Sequence, residues 1–111
     1  MKNITYKTNG GILLNIEGLD VEILSHNFHN PHCNIVCAYF DNGENIIELT
    51  YYNHLDNTLE GHEYYSFSHG EVGHIYSRNF GTNVPKKYQQ ICEKLKEIYS
   101  LIDFEQYKER L

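Results

Sequence analysis

The spacing of the apolar residues changes once along this chain, near residue 80, and that change constrains the fold more than any other feature. Before it, apolar and polar residues alternate in short runs bounded by Gly and Asn, which is typical of strands half-buried in a sheet. After it, apolar residues recur at steps of three and four from Val84 to Ile102, which is typical of a helix with one buried face. The sequence therefore predicts an α+β fold, with a mostly antiparallel sheet of about five or six strands and one long C-terminal helix packed on a face of the sheet.

We expect a single domain over residues 1–111, because compact domains typically contain roughly 100–150 residues. Residues 1–80 form its β-rich acidic body and residues 84–110 form its C-terminal helix. Pro85 suits the first turn of this helix, and Cys92 lies on its apolar stripe and is expected in the core. Ten Tyr and five Phe supply enough apolar area for one core, so we do not expect disorder.

Gly and Asn residues divide the body into candidate strands and turns. Asn9-Gly10 predicts a tight hairpin that joins the first two strands, and Gly18 predicts a bulge within the strand that follows. Asp41-Asn42-Gly43 predicts a hairpin between strands at 35–40 and 45–52. Two loops, at 25–32 and 56–61, and a last hairpin, formed by residues 63–69 and 74–80, complete the predicted body.

The apolar residues move to a different face of the predicted helix beyond Ser100, where Leu101, Phe104, Tyr107 and Leu111 would lie. This shift indicates either a break in the helix near residues 100–103 or a second apolar surface available to a partner. The second interpretation allows a homodimer through the C-terminal helix.

The charges are divided unevenly between the two parts of the chain. The net charge is −6, but residues 8–77 contain ten Asp and Glu and no Lys or Arg, and they also hold all seven His. A body without cations favours a basic protein partner. It argues against direct binding of nucleic acid, which needs clustered Lys and Arg.

Several functional classes lack their usual signals in this sequence. It has no apolar run of about 18 residues and no apolar leader near its start, so we expect a cytoplasmic protein with no membrane partner. It has no Gly-rich phosphate loop and no nucleophile motif, and His62-Glu63 is not followed by the second His of a metalloprotease helix. These features favour a protein that is not an enzyme and that needs no cofactor.

Two Tyr doublets, in adjacent predicted strands, provide the candidate binding surface. Alternation places one ring of each doublet on either face of the sheet, so Tyr52 and Tyr64 point outward if Leu49 and Tyr51 face the helix. Tyr is enriched at the hot spots of protein interfaces. We therefore predict a partner-binding surface that consists of Glu48, Tyr52, Asp56, Glu60, His62, Glu63 and Tyr64.

The leading hypothesis is a non-enzymatic inhibitor that docks this acidic, Tyr-bearing surface on a basic protein and blocks it. In size, charge and composition the chain resembles bacterial immunity proteins against nuclease toxins and phage-encoded inhibitors of host defence, although it shares no motif with them. The simpler interpretation, that the acids and Tyr residues only keep a two-sided sheet soluble, stays open.

Two further functions also stay open at this point. The first is a metal-binding protein or metal-dependent enzyme, with ligands from His26, His29, His32 and Cys33 or from the pair His69 and His74. Because these residues lie largely in predicted loops, their spacing fixes no ligand geometry, and the pair could equally serve in acid–base chemistry. The second is a small-ligand sheet domain, in which outward Tyr rings stack on a nucleotide-like ring.

Overall fold

The structure, a computed structural model, describes residues 1–8, 10–26, 33–44, 46–53, 63–70 and 86–110, with only the backbone described at 25–26, 33, 52–53 and 63–70. The described residues form six strands, an α-helix and a 3-10 helix. In chain order these are β1 (Lys2–Ile4), β2 (Ile12–Ile16), β3 (Leu19–His26), β4 (Cys33–Asp41), β5 (Ile46–Asn53), β6 (Glu63–Gly70), α1 (Lys86–Leu101) and the 3-10 helix Phe104–Arg110. The predicted α+β class and antiparallel sheet are confirmed.

Strands β2 to β6 lie side by side in chain order, and each neighbouring pair is antiparallel. β1 departs from this order and pairs with β4, where Ile4 is opposite Tyr39. β3 pairs with β4 only as far as Cys37. Beyond that residue, β1 takes the place of β3 along the same edge of β4. The predicted hairpin about Asn9-Gly10 is therefore wrong, because the first strand joins the centre of the sheet and not β2.

A two-residue turn at Glu17 and Gly18 joins β2 to β3. Both residues have positive φ, 52° and 83°, as in the type I′ turn whose twist matches that of the flanking strands. Ile16 lies opposite Leu19 across this turn, so Gly18 lies in a turn between two strands and the predicted bulge is wrong. The predicted hairpin about residues 41–43 is confirmed by the pairing of β4 with β5.

One face of the sheet and α1 enclose the hydrophobic core. The strands contribute every second residue, and α1 contributes residues three and four apart. The buried members are Ile12, Val21, Ile23, Val36, Ala38, Phe40, Ile47, Leu49 and Tyr51 from the sheet, and Tyr88, Cys92, Leu95 and Ile98 from α1. Because α1 packs on β5 and β4, the predictions of a helix on one sheet face and of Cys92 in the core are both confirmed.

The C-terminal segment is not one long helix over residues 84–110. α1 ends at Leu101, and the hydrogen bonds from Ile102 N to Tyr99 O and from Gln106 N to Asp103 O, 3.3 and 3.1 Å, tighten the chain into the 3-10 helix. A continuous α-helix would present Glu105 and Gln106 to the sheet after Ile98 and Ile102. The break turns the chain so that apolar side chains pack on the core in their place.

Two of the four residues of the second apolar stripe pack on the core, and a homodimer through this segment stays a prediction. Phe104 and Tyr107 are half-buried against the core, and the Phe104 ring lies 5.0 Å from that of Tyr99. Leu101 is 61% exposed, and Leu111 lies outside the described residues. Of the two interpretations of the shifted stripe, the structure supports the break.

The predicted loops fall partly outside the described residues. β3 continues to His26 and β4 begins at Cys33, so the connection between them is shorter than the predicted loop 25–32. Residues 56–61 and 74–80 lie outside the described residues, whereas 63–69 fall in β6. In the described part of the chain, no helix combines the length and the apolar character that crossing a membrane requires.

Candidate functional site

The second face of the sheet, turned away from α1, carries polar side chains that are nevertheless buried. Glu22 is fully buried, Glu48 is 9% exposed, and Thr50 is 5% exposed. Cys37 and Tyr39 of β4 lie between them and are also buried. The prediction that Glu48 lies on an exposed docking surface is therefore wrong.

The N-terminal segment, residues 1–11, covers part of this polar face. The Tyr6 ring lies 5.0 Å from the Tyr39 ring, tilted by 59°. Asn3 ties β1 to its neighbours, because its Nδ2 donates to the carbonyls of Asp20 and Tyr39, both at 3.2 Å, and its Oδ1 accepts from Asp20 N at 2.8 Å. Thr5 Oγ1 adds a hydrogen bond to Asp20 Oδ2 at 3.0 Å.

The Glu22 carboxylate is the best-enclosed group of the polar face. It accepts hydrogen bonds from Thr8 N at 2.8 Å, from Thr8 Oγ1 at 3.0 and 3.1 Å, and from the Tyr39 hydroxyl at 2.8 Å. A Cβ at Gly11 would overlap its Cγ, Cδ and Oε2 atoms, so only Gly leaves space for the carboxylate here. Burying a charge is costly unless it is hydrogen-bonded, and these donors offset that cost.

Glu48, Thr50 and Cys37 extend the hydrogen-bonded network across β5 and β4. Thr50 Oγ1 donates to Glu48 Oε1 at 3.1 Å, and Cys37 Sγ lies 3.5 Å from the same hydroxyl. Because a hydroxyl has a single proton, the Cys37 thiol must be the donor to Thr50. The network therefore requires Cys37 in its protonated form.

The electrostatics of the polar face agree with that requirement. Burial, and then the Glu48 carboxylate, raise the pKa of the Cys37 thiol. Burial, and then Cys37 and Glu48, raise the pKa of the Tyr39 hydroxyl. Both groups stay protonated at neutral pH, so neither is an activated nucleophile or base.

The described part of the polar face thus acts as an anchor for the N-terminal segment, and neither Cys37 nor Tyr39 is activated there. Among the described residues, every buried side-chain N and O atom has a hydrogen-bond partner. No group of three or more His, Cys, Asp or Glu within those residues is arranged to hold a metal ion. No local pattern marks this network in the sequence, since Glu22 and Glu48 alternate with apolar residues as exposed acids do.

The described residues that were predicted to bind a partner, other than Glu48, lie at one end of the sheet. There the register aligns Ser25, Asn34, Asn53 and Glu63 in a row across β3 to β6. Tyr52 is the register partner of Tyr64, so these two residues belong to the same face of the sheet. Asp56, Glu60 and His62 lie outside the described residues, in the connection 54–62 that leaves this row at Asn53 and returns to it at Glu63.

Two of the predicted metal ligands lie at the same end of the sheet. His26 and Cys33 are register partners at the ends of β3 and β4, and His29 and His32 lie outside the described residues in the connection 27–32. His69 is opposite Ile47 near the other end of β6, and its predicted companion His74 is also outside the described residues. We call the end of the sheet that is marked by the row Ser25, Asn34, Asn53 and Glu63 the distal end.

The opposite end of the sheet carries the turn between β4 and β5. Asp41 Oδ1 accepts a hydrogen bond from Gly43 N at 2.8 Å, and Asn42 Oδ1 accepts one from Glu44 N at 2.9 Å. The side chains of Asp41 and Glu44 are both exposed. Glu17, at the turn between β2 and β3, pairs with Lys94 of α1 at 3.1 Å. α1 therefore offsets part of the negative charge of the sheet.

The fold and the site together define an antiparallel sheet with an apolar core under α1 and a hydrogen-bonded polar network on its other face. No protein-family model, curated protein or solved structure matches this chain. Function has to be argued from its own residues.

Proposed function

We propose that this protein is a non-enzymatic inhibitor that binds a basic protein partner, in the cytoplasm, through the distal end of its sheet. The observation that carries the proposal is that the whole meander β2 to β6 is built from residues 8–77, which contain no Lys or Arg. A surface with one sign of charge attracts partners of the opposite sign and raises their association rate.

The distal end is the part of this surface that best suits a partner. It contains Glu63 and the register pair Tyr52–Tyr64. In the sequence, the acids Asp56 and Glu60 fall between Asn53 and Glu63, and five of the seven His fall within residues 26–32 and 54–62. Glu48 no longer belongs to the proposed surface, because it is buried in the polar network. A mixture of Tyr and acids gives contact area as well as electrostatic attraction.

Two charge-matched variants test this proposal. Asp56→Asn/Glu60→Gln removes two acids from the distal end, and Asp41→Asn/Glu44→Gln removes two from the opposite end. The tagged protein is used to capture its partner from host lysate, and binding is then measured for the purified pair over a range of salt concentrations. We expect salt to weaken binding and the distal variant to slow association roughly ten-fold, with little change for the control variant.

Three results would contradict the proposal: recovery of no partner, binding that is independent of salt, or equal effects of the two variants. The first would leave no inhibitor function to explain. The second would remove the role of charge, and the third would remove the distal end as its location.

A metal-binding function at the same end is the second candidate, and the register favours it. His26 and Cys33 are direct neighbours across β3 and β4, and the connection between them supplies His29 and His32. Imidazole and thiolate are suitable zinc ligands. Stoichiometric zinc in the purified protein, lost in a His29→Ala/His32→Ala variant, would support this candidate over the inhibitor, whereas a metal-free protein that keeps its partner would exclude it.

A further inference from the structure

β2 ends the described sheet, and the described residues give it none of the features that usually protect an edge strand. It pairs with β3 on one side, and within the described ranges no strand pairs with its other side. Its sequence, Ile-Leu-Leu-Asn-Ile, contains no charge and no Pro, and its register with β3 runs without a bulge. Edges of this kind readily accept another strand.

The turn at Glu17 and Gly18 decides which backbone groups of β2 are directed outward. In a two-residue hairpin the residues next to the turn, Ile16 and Leu19, form a hydrogen-bonded pair, and such pairs alternate along the ladder. Leu14 and Ile12 therefore bond to β3. Leu13 and Asn15 direct their N–H and C=O groups away from it.

We propose that β2 pairs with β2 of a second copy of this chain, antiparallel and about a twofold axis at Leu14. In this register Leu13 is opposite the partner's Asn15, and the two positions exchange four backbone hydrogen bonds over the whole interface. Leu14 lies opposite the partner's Leu14, and Ile12 opposite the partner's Ile16. The half-buried Leu14 and Ile16 would thereby lose exposed surface, and so would Leu13, which is 38% exposed.

Charge favours a second copy over a basic peptide as the occupant of this edge. Although each chain has a net charge of −6, the strand itself is uncharged, and the next acid, Glu17, falls opposite the partner's Gly11. Glu17 is also paired with Lys94. No like charges therefore meet across the proposed interface, whereas a cationic strand would find no carboxylate along β2.

The test compares Asn15→Pro with Asn15→Ala by analytical ultracentrifugation at physiological salt. Both variants lose the hydrogen bond from Asn15 Nδ2 to Asp20 Oδ1, but only Pro removes the outward N–H. We expect wild type and Asn15→Ala to form a dimer of twice 13.1 kDa as concentration rises. Asn15→Pro should raise the dissociation constant about thirty-fold, because two backbone hydrogen bonds are lost per dimer.

Amide hydrogen exchange of the wild-type protein tests the same interface without a variant. Protection of the Leu13 and Asn15 amides should increase with protein concentration, while that of Leu14, which bonds to β3, should not. A monomer at all concentrations, a dimer that Asn15→Pro leaves intact, or Leu13 and Asn15 amides insensitive to concentration would overturn the proposal. Failure of the partner-capture experiment would not affect these measurements.

Discussion

Substitution of Gly11 tests whether the enclosure of Glu22 stabilises the fold. A methyl group at this position would overlap the Glu22 carboxylate, which would have to leave at least two of its hydrogen bonds. Each hydrogen bond to a buried charge contributes about 1.5 kcal/mol, and Gly→Ala returns about 0.5 kcal/mol through the unfolded state. We expect Gly11→Ala to lower the free energy of unfolding by about 2.5 kcal/mol.

Gly10→Ala is the matched control for this substitution. A methyl group at Gly10 meets no atom within 4 Å, but its φ of +91° is unfavourable for Ala and should cost about 1 kcal/mol. The Gly11→Ala variant therefore measures the cost of the clash with Glu22, and the Gly10→Ala variant measures the cost of backbone strain alone. Urea titrations followed by circular dichroism, at equal m value, give both free energies.

The decisive measurement is the coupling free energy between Gly11→Ala and Tyr39→Phe. Tyr39→Phe removes the hydroxyl that donates to Glu22, so it should cost about 2 kcal/mol in the wild type and less than about 1 kcal/mol in the Gly11→Ala background. The reasoning fails if Gly11→Ala costs no more than Gly10→Ala, or if the effects of Gly11→Ala and Tyr39→Phe simply add.

Four further substitutions address the turn, the C-terminal break and the buried thiol of Cys92. Glu17→Asn should raise the free energy of unfolding by about 0.5 kcal/mol in urea titrations, because Asn tolerates positive φ and the exposed pair with Lys94 contributes little. Phe104→Ala should cost about 2 kcal/mol in the same assay and Leu101→Ala less than about 0.5, whereas equal costs would contradict the packing of the 3-10 helix on the core. Burial raises the pKa of the Cys92 thiol from 9.0 to about 11, so the unfolded chain loses this proton first and stability should fall between those pH values, by up to about 1.4 kcal/mol per pH unit. Cys92→Ala should reduce that slope, as measured by unfolding at a series of pH values.

The sequence predicted the helix-facing core because that part of the fold depends on hydrophobic period alone. Leu49 and Tyr51 alternate along β5, and Leu95 and Ile98 recur along α1, so each periodicity identifies a buried face. The end of α1 was harder to predict. The stripe shifted at Leu101, but only packing decides whether such a shift covers the core or a partner.

The polar face could not be predicted because its burial depends on contacts between distant residues. Glu22 is acceptable inside the protein only because Thr8 and Tyr39 donate to it and Gly11 leaves space. None of these residues is marked by local sequence, and β1 reaches β4 from 35 residues or more away in the chain. The candidate docking residues were chosen by alternation, which assigned Glu48 to solvent, whereas its side chain is buried in the folded protein.

The different chemistry of the two sheet faces also has a consequence for alignment of the strands. Because successive side chains alternate, a slip of β3 by one residue would turn Glu22 toward Leu95 and Ile98 and bring Val21 beneath Tyr39. An unpaired carboxylate among apolar side chains costs several kcal/mol, and the donors left behind would lose their acceptor. A misregistered sheet is therefore penalised on both faces at once, so the buried polar residues help to select a single strand alignment during folding.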